Sequence, residues 1–209
     1  MREVRFKMTQ TIKANNKKSL ELAVNVMEKG GTIIYPTETS YGLGCDGTNP
    51  KAIRKIFRIK KRNISKNLTY IVPSVEIAEK YGIVTRIDKR IIKKFMPGNI
   101  TLVVKSRNKK FGREFAFRIS SNKFANELSR KFNKPIVATS ANVSGKEALY
   151  KINEINRIFS GKVDLIIDSG NLKKKKPTTV LDLFDGVNIR RKGNITEKEI
   201  RKVYENKRT

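Results

Sequence analysis

Whatever this chain does chemically, it does without an imidazole. Its 209 residues contain no histidine and a single cysteine, Cys45. That excludes Ser-His-Asp and Cys-His nucleophile systems, His-bound metals and zinc clusters. Lys, Arg, Ser, Thr, Tyr, Asp, Glu, backbone groups and a carboxylate- or phosphate-held Mg²⁺ remain, an inventory suited to phosphate chemistry. Four polar clusters could carry it: Tyr35-Pro36-Thr37-Glu38-Thr39-Ser40-Tyr41-Gly42-Leu43-Gly44; Lys60-Lys61-Arg62; Ser140-Ala141-Asn142-Val143-Ser144-Gly145; and Thr178-Thr179 with Arg191-Lys192-Gly193. Neither GxxxxGK[ST] nor a GxGxxG after a strand occurs, so a nucleotide would have to be held by another device.

The elements that must position these clusters are legible in the periodicity. Leu20, Val24 and Met27 predict a helix over 19–29, closed by Gly30-Gly31. A strand over 32–35 and a second extended piece over 41–46 flank the polar loop 36–40. An apolar stripe over 51–60 makes the Lys60-Lys61-Arg62 cluster a helix end. Strands are predicted over 68–72, 100–104, 115–118, 136–139, 164–167, 179–183 and 187–190. Helices are predicted over 75–81, 88–95, 152–159 and, behind Asn122, through Phe124, Leu128 and Phe132. Thr196-Glu197-Lys198-Glu199 reads as a capping box opening a last helix over 196–205. Strands interleaved with helices predict an α/β fold, and connections too short for parallel crossovers predict a mixed sheet.

Length and the lack of a linker-like stretch predict one domain over 1–209. No run approaches the apolar length of a membrane span, and Met1 to Gln10 is basic without an apolar signal core, so the expectation is a soluble, cytoplasmic protein without a membrane partner. Lys and Arg number 47 against 19 Asp and Glu, a formal charge of +28. Such a field attracts phosphates, nucleotides or nucleic acid. Runs such as Lys173 to Lys176 also fit a bias spread over the whole surface, so charge alone selects no function.

The Tyr-Pro-Thr-Glu-Thr segment resembles the signature of the YrdC/TsaC family. The other family features follow in order: a Lys-x-Arg after a helix, Pro97-Gly98 before the Ile100-Thr101-Leu102 strand, a strand-end Arg118, a Ser-Ala-Asn-x-Ser-Gly loop, a Thr-Thr-Val strand and Arg-x-Gly. The match spans about residues 17–193. Longer members add a C-terminal domain, for which a chain ending at Thr209 has no room. The resemblance implies an open, twisted mixed sheet with flanking helices around a deep basic cavity. The implied reaction joins L-threonine, bicarbonate and ATP into threonylcarbamoyl-AMP and pyrophosphate, with Mg²⁺ accompanying ATP. The product would pass to a separate tRNA threonylcarbamoyl transferase. Attack of a carbamate on the α-phosphate needs positioning and charge neutralisation more than a protein nucleophile, which a histidine-free site can supply.

By the same resemblance Lys60 and Arg62 would be the catalytic pair on the nucleotide phosphates. Thr37, Arg118, Ser140 and Thr178 would bind L-threonine, Arg118 by gripping its carboxylate. Asn142 and Arg191 would join Lys60 and Arg62 on ATP, with Arg190 the neighbouring alternative to Arg191. No metal-ligating set is expected. On local grounds alone Thr37 is an ordinary turn threonine, Arg118 an exposed strand-end charge and the 140–145 segment just a loop. The chain departs from the family pattern at Asn63, at Lys66-Asn67-Leu68 and at Glu114, where a small hydroxyl residue is common. Glu38 has no role readable from sequence. Two rival readings stand beside the synthase. One is a double-stranded RNA, tRNA or ribosome-maturation binding module without catalysis, although no RNA-recognition consensus is present. The other is a carbamoyl-adenylate-forming domain of hydrogenase maturation, normally part of a larger, cysteine-rich protein.

Overall fold

A computed structural model describes residues 8–206, so the expectations for the first residues of the chain lie outside the described ones. In chain order the elements are β1 (Gln10–Lys13), α1 (Ser19–Glu28), β2 (Thr32–Pro36), β3 (Tyr41–Cys45), α2 (Pro50–Lys60), β4 (Thr69–Ile71), α3 (Val75–Tyr81), β5 (Gly82–Ile83), α4 (Arg86–Phe95) and β6 (Ile100–Ser106). They continue with β7 (Glu114–Arg118), α5 (Lys123–Phe132), β8 (Ile136–Val137), β9 (Thr139–Ser140), α6 (Ile152–Phe159), β10 (Leu165–Asp168), β11 (Thr179–Asp182), β12 (Asn188–Arg191) and α7 (Glu197–Glu205). Five of the seven helices of the described residues start on a side-chain cap. The side chain of Asn49 accepts from the Lys51 and Ala52 amides at the head of α2, Asn122 accepts from Ala125 at α5, and Thr196 with Glu199 forms the expected capping box at α7. A second capping box, Thr85 with Asp88, starts α4 two residues before the predicted position.

The mixed α/β class holds, with the strands divided between two sheets. One runs β1-β10-β2-β3-β9, and the other β12-β11-β6-β7-β4-β8 with β5 beside β6. β1, β10 and β2 are parallel, and so are β11 with β6 and β4 with β7; the other pairs are antiparallel. The first sheet is covered on both faces. Ile33 and Tyr35 of β2, with Leu165 and Ile167 of β10, pack against α1 and α5 through Met27, Phe124 and Leu128. Ile34 and Ile166 point the other way, into the larger core with Ile56, Phe117 and Leu181. Strands buried on both sides read as continuous apolar runs, as these do.

One short segment carries a strand of each sheet. The single strand predicted over 136–139 is two, β8 pairing with β4 in the second sheet and β9 with β3 in the first, with Ala138 between them. This crossing brings the ends of β2, β3, β4, β7, β11 and β12 around one seam. The cavity described below lies there. No helix among the described residues is long and apolar enough to cross a membrane.

Candidate functional site

The β2–β3 connection is a tight polar loop built by its own threonine. The Thr37 amide and hydroxyl both donate to the Ser40 carbonyl, at 3.0 and 2.7 Å, and the Thr39 amide donates back to the Thr37 hydroxyl at 3.3 Å. Thr37 is buried and lines the cavity. The next residue, Glu38, turns inward. Arg118, at the end of β7, donates from Nε to Glu38 Oε1 at 2.7 Å, and the Ser120 hydroxyl donates to Oε2 at 2.5 Å. Glu38 and Arg118 are only 8% and 6% exposed, so this is a buried ion pair with a third, hydroxyl member. It fixes the plane of a guanidinium that also lines the cavity.

Lys60 and Arg62 part company at the end of α2. Lys61 caps the helix in the left-handed conformation, φ 50°. The residues either side of it go to different places: Arg62 lines the cavity, and Lys60, 2% exposed, lies behind its wall. The Lys60 ammonium donates to the Ser140 carbonyl at 2.5 Å, the Asn142 carbonyl at 2.9 Å and Asn142 Oδ1 at 2.8 Å. These acceptors use all three of its protons. The Ser144 amide also donates to the Lys60 carbonyl, so both ends of this residue hold the 140–144 loop. Burial, with Arg62 nearby, lowers its pKa to about 8. Within the loop the Ser140 hydroxyl donates to Asn142 Oδ1 at 2.7 Å, and Asn142 Nδ2 donates to the Lys146 carbonyl. Ser140 reaches the cavity; the Asn142 side chain is engaged with Lys60, Ser140 and Lys146.

Arg191 is tied to Thr178. Its Nε and Nη2 donate to the Thr178 carbonyl at 3.1 and 3.0 Å, and Nη2 reaches the Thr178 hydroxyl at 2.8 Å. That hydroxyl lies 2.8 Å from the hydroxyl of Thr101. Arg190, its neighbour, forms a bidentate pair with Glu114 at 2.6 and 2.8 Å and reaches Asp182 at 2.6 Å. Successive strand residues face opposite sides, which separates the two arginines. Gly193 is what lets the chain after β12 lie on the backbone of 177–179: a Cβ there would stand 2.3 Å from the Thr179 nitrogen and 2.4 Å from the Pro177 oxygen. Gly193→Ala should therefore push Arg191 off Thr178. We expect a loss of about 2 kcal/mol in denaturant unfolding, the scale of core overpacking, and unchanged stability would contradict this packing.

Six of the eight expected residues, Thr37, Arg62, Arg118, Ser140, Thr178 and Arg191, thus line one cavity of about 320 Å³. Lys60 and Asn142 support its wall. The lining also includes Tyr150 and Lys175, which no motif singled out, and it contains no Asp or Glu. Burial lowers the pKa of Arg62 and of Arg191, and for Arg191 the nearby Arg118 adds to the effect. Arg62 donates from Nη2 to the Asn67 carbonyl, while its Nε is a buried donor without an acceptor. A buried donor of this kind takes its acceptor from a water or a ligand. Among the described residues no group of three or more His, Cys, Asp or Glu could hold a metal ion.

The sequence model of the Sua5/YciO/YrdC family, described as telomere recombination, matches residues 25–193. The chain belongs to this family. Within it, the threonylcarbamoyl-AMP synthase of Psychromonas ingrahamii is 34% identical, over 80% of this chain and 94% of that protein. The crystal structure of P. abyssi Sua5 complexed with L-threonine superposes with a TM-score of 0.85 at 27% identity, covering 94% of this chain and 60% of that one. The chain therefore spans about three fifths of Sua5. The crystal structure of E. coli YciO gives a TM-score of 0.81 at 29% identity, covering 92% of this chain and 98% of that one. Two of the departures from the family pattern, Asn67 and Glu114, are hydrogen-bonded to each other. Glu114 accepts from Arg190 and from the Asn67 amide, and the Asn67 carbonyl accepts from Arg62. The loop altered at Asn63 and Asn67 is thereby tied to β7.

Proposed function

We propose that this protein is an L-threonylcarbamoyladenylate synthase, condensing L-threonine, bicarbonate and ATP. The observation that carries the reading is the convergence of Thr37, Arg62, Arg118, Ser140, Thr178 and Arg191 on one cavity whose lining has no carboxylate. Support comes also from relatives of the same family that are named for this activity or crystallised with L-threonine.

In this reading Arg118, its Nε fixed by Glu38, takes the threonine carboxylate, and the hydroxyls of Thr37, Ser140 and Thr178 orient the rest of the amino acid. The threonine ammonium gives a proton to solvent, its nitrogen forms a C–N bond to bicarbonate carbon and water leaves, giving an N-carboxylate. An oxygen of that carbamate bonds to the α-phosphorus of ATP as the bond to the β-phosphate oxygen breaks, and pyrophosphate departs. Arg62 and Arg191 neutralise charge on the phosphates, which is most of what such a step asks of a protein. Asn142 acts on ATP at second hand, by ordering the Ser140 loop. Any Mg²⁺ rides on the nucleotide phosphates, since hydroxyls and amides are the only side-chain oxygen donors in the lining. A cytoplasmic enzyme would hand the adenylate to a tRNA threonylcarbamoyl transferase.

Pyrophosphate release should require ATP, L-threonine and bicarbonate together. Arg62→Ala should lower kcat/KM for ATP by about 100-fold, the scale of a charged phosphate contact in a dry site. Omission of threonine or bicarbonate without effect on release would refute the synthase. No release combined with tight, salt-dependent binding of an RNA duplex would favour the binding module.

A further inference from the structure

The segment between β10 and β11, residues 169–178, is a strap without regular structure that supplies Lys175, Pro177 and Thr178 to the cavity lining. Its entry is sewn down. The Tyr41 hydroxyl donates to the Gly170 carbonyl at 2.7 Å and accepts from the Ser169 amide at 2.9 Å. The Leu172 amide donates to the Tyr150 carbonyl at 2.8 Å. Its exit is held where Thr179 donates to Asn99 and Gly193 packs on Pro177. Between these anchors lies the run Lys173 to Lys176, and its members do not share one fate. Lys174 pairs at 3.3 Å with Glu147, on the loop facing the strap, and Lys175 lines the cavity. Among the described residues the Lys175 ammonium has no hydrogen-bond or ion-pair partner.

The charge of the cavity shows what Lys175 is for. Four cations line it: Arg62, Arg118, Lys175 and Arg191. Glu38 already neutralises Arg118 at 2.7 Å, which leaves three without a counter-charge. Threonine is a zwitterion and bicarbonate carries one charge, so neither accounts for three. A polyphosphate chain does. Arg191 is also partly committed, with Nε and Nη2 donating to Thr178, so Arg62 alone cannot cover the length of a triphosphate. We propose that Lys175 is a ligand of the nucleotide's polyphosphate, and that the strap forms one wall of the phosphate subsite. This rests on the synthase reading, which makes the cavity an ATP site, and adds a residue that no motif of the chain marks.

The test is calorimetric titration of the full chain with inorganic tripolyphosphate at physiological ionic strength, with kinetics alongside. Lys175→Gln should bind tripolyphosphate about ten-fold more weakly and raise the KM for ATP by a similar factor, as loss of one charge-assisted contact does. The KM for threonine should not move. All four lysines of the run are exposed, and Lys173→Gln, which removes the same charge outside the cavity lining, should stay within about two-fold of wild type. If wild type binds tripolyphosphate and Lys175→Gln behaves as Lys173→Gln does, Lys175 is not a ligand and the phosphate site stands without it. If the loss falls on threonine instead, the subsite is misassigned. If wild type binds no tripolyphosphate, the reading of the cavity as an ATP site fails together with the proposal.

Discussion

Glu38→Ala should cost about 3 kcal/mol or more in denaturant unfolding, and it should raise the KM for threonine far more than that for ATP. The stability loss follows from what is left behind. Arg118 is 6% exposed and Glu38 supplies its carboxylate at 2.7 Å, with Ser120 on the second oxygen. Removing one member of a buried pair strands the other charge, and such losses run to about 3–5 kcal/mol. The kinetic split follows from which guanidinium loses its aim. With Nε released, Arg118 can turn away from the cavity, while Arg62, held by Asn67, and Arg191, held by Thr178, stay where they are. Glu38→Gln keeps an oxygen for the guanidinium and should fall between wild type and alanine on both measures. Chemical denaturation and KM values for each substrate decide it. An alanine variant within about 0.5 kcal/mol of wild type, the range of ordinary surface changes, would show that the pair holds neither fold nor site.

Glu38 also shows why part of the site was legible in the sequence and part was not. Its neighbour Thr37 is assigned to the site by the family resemblance alone, since on local grounds it reads as an ordinary turn threonine. Nothing local says whether the next carboxylate faces solvent or a buried arginine eighty residues further on. Helices were read well wherever caps and apolar spacing agreed, as in α1, α5 and α7, because both signals are local. The division at Ala138 was not readable, since the switch from β4 to β3 as partner is decided by strands distant in sequence. β1 was missed for a related reason: four residues with an exposed pattern become a strand only through their pairing with β10. Arg190 and Arg191 were distinguished by motif spacing, and the structure supplies the physical cause, Glu114 and Asp182 on one side and Thr178 on the other. Lys175 had no signal at all. Within four consecutive lysines, only the path of the strap selects one.

Lys60 is where motif and structure diverge most, and a kinetic effect as large as that of Arg62→Ala is expected there. The Lys-x-Arg pattern groups Lys60 with Arg62 on the phosphates, yet its three protons hold Ser140 and Asn142. Lys60→Met keeps the stem and removes the ammonium, so the Ser140 and Asn142 carbonyls and Asn142 Oδ1 lose a charged donor, the Asn142 carbonyl is left worst served, and Ser140 drifts from the cavity wall. A misplacement of this kind can cost about 100-fold in rate, and it should appear in kcat with both substrates saturating, whereas Arg62→Ala should act mainly through ATP. Lys60→Arg should not rescue, because a planar guanidinium cannot replace a compact ammonium among three converging acceptors. The pH dependence separates positioning from simple structural loss. With the Lys60 pKa lowered from 10.5 to about 8, wild-type kcat should fall as pH rises through 8, when the amine keeps two donors for three acceptors. Stability moves the other way. Between about 8 and 10.5 the unfolded chain binds more protons at this residue than the folded one, so the Lys60 contribution to unfolding free energy rises with pH, and its penalty is complete only below pH 8. An alkaline loss of kcat without loss of thermal stability, absent from Lys60→Met, is therefore the expected signature. A limb that persists in Lys60→Met would assign the titration to another group and return Lys60 to a purely structural part.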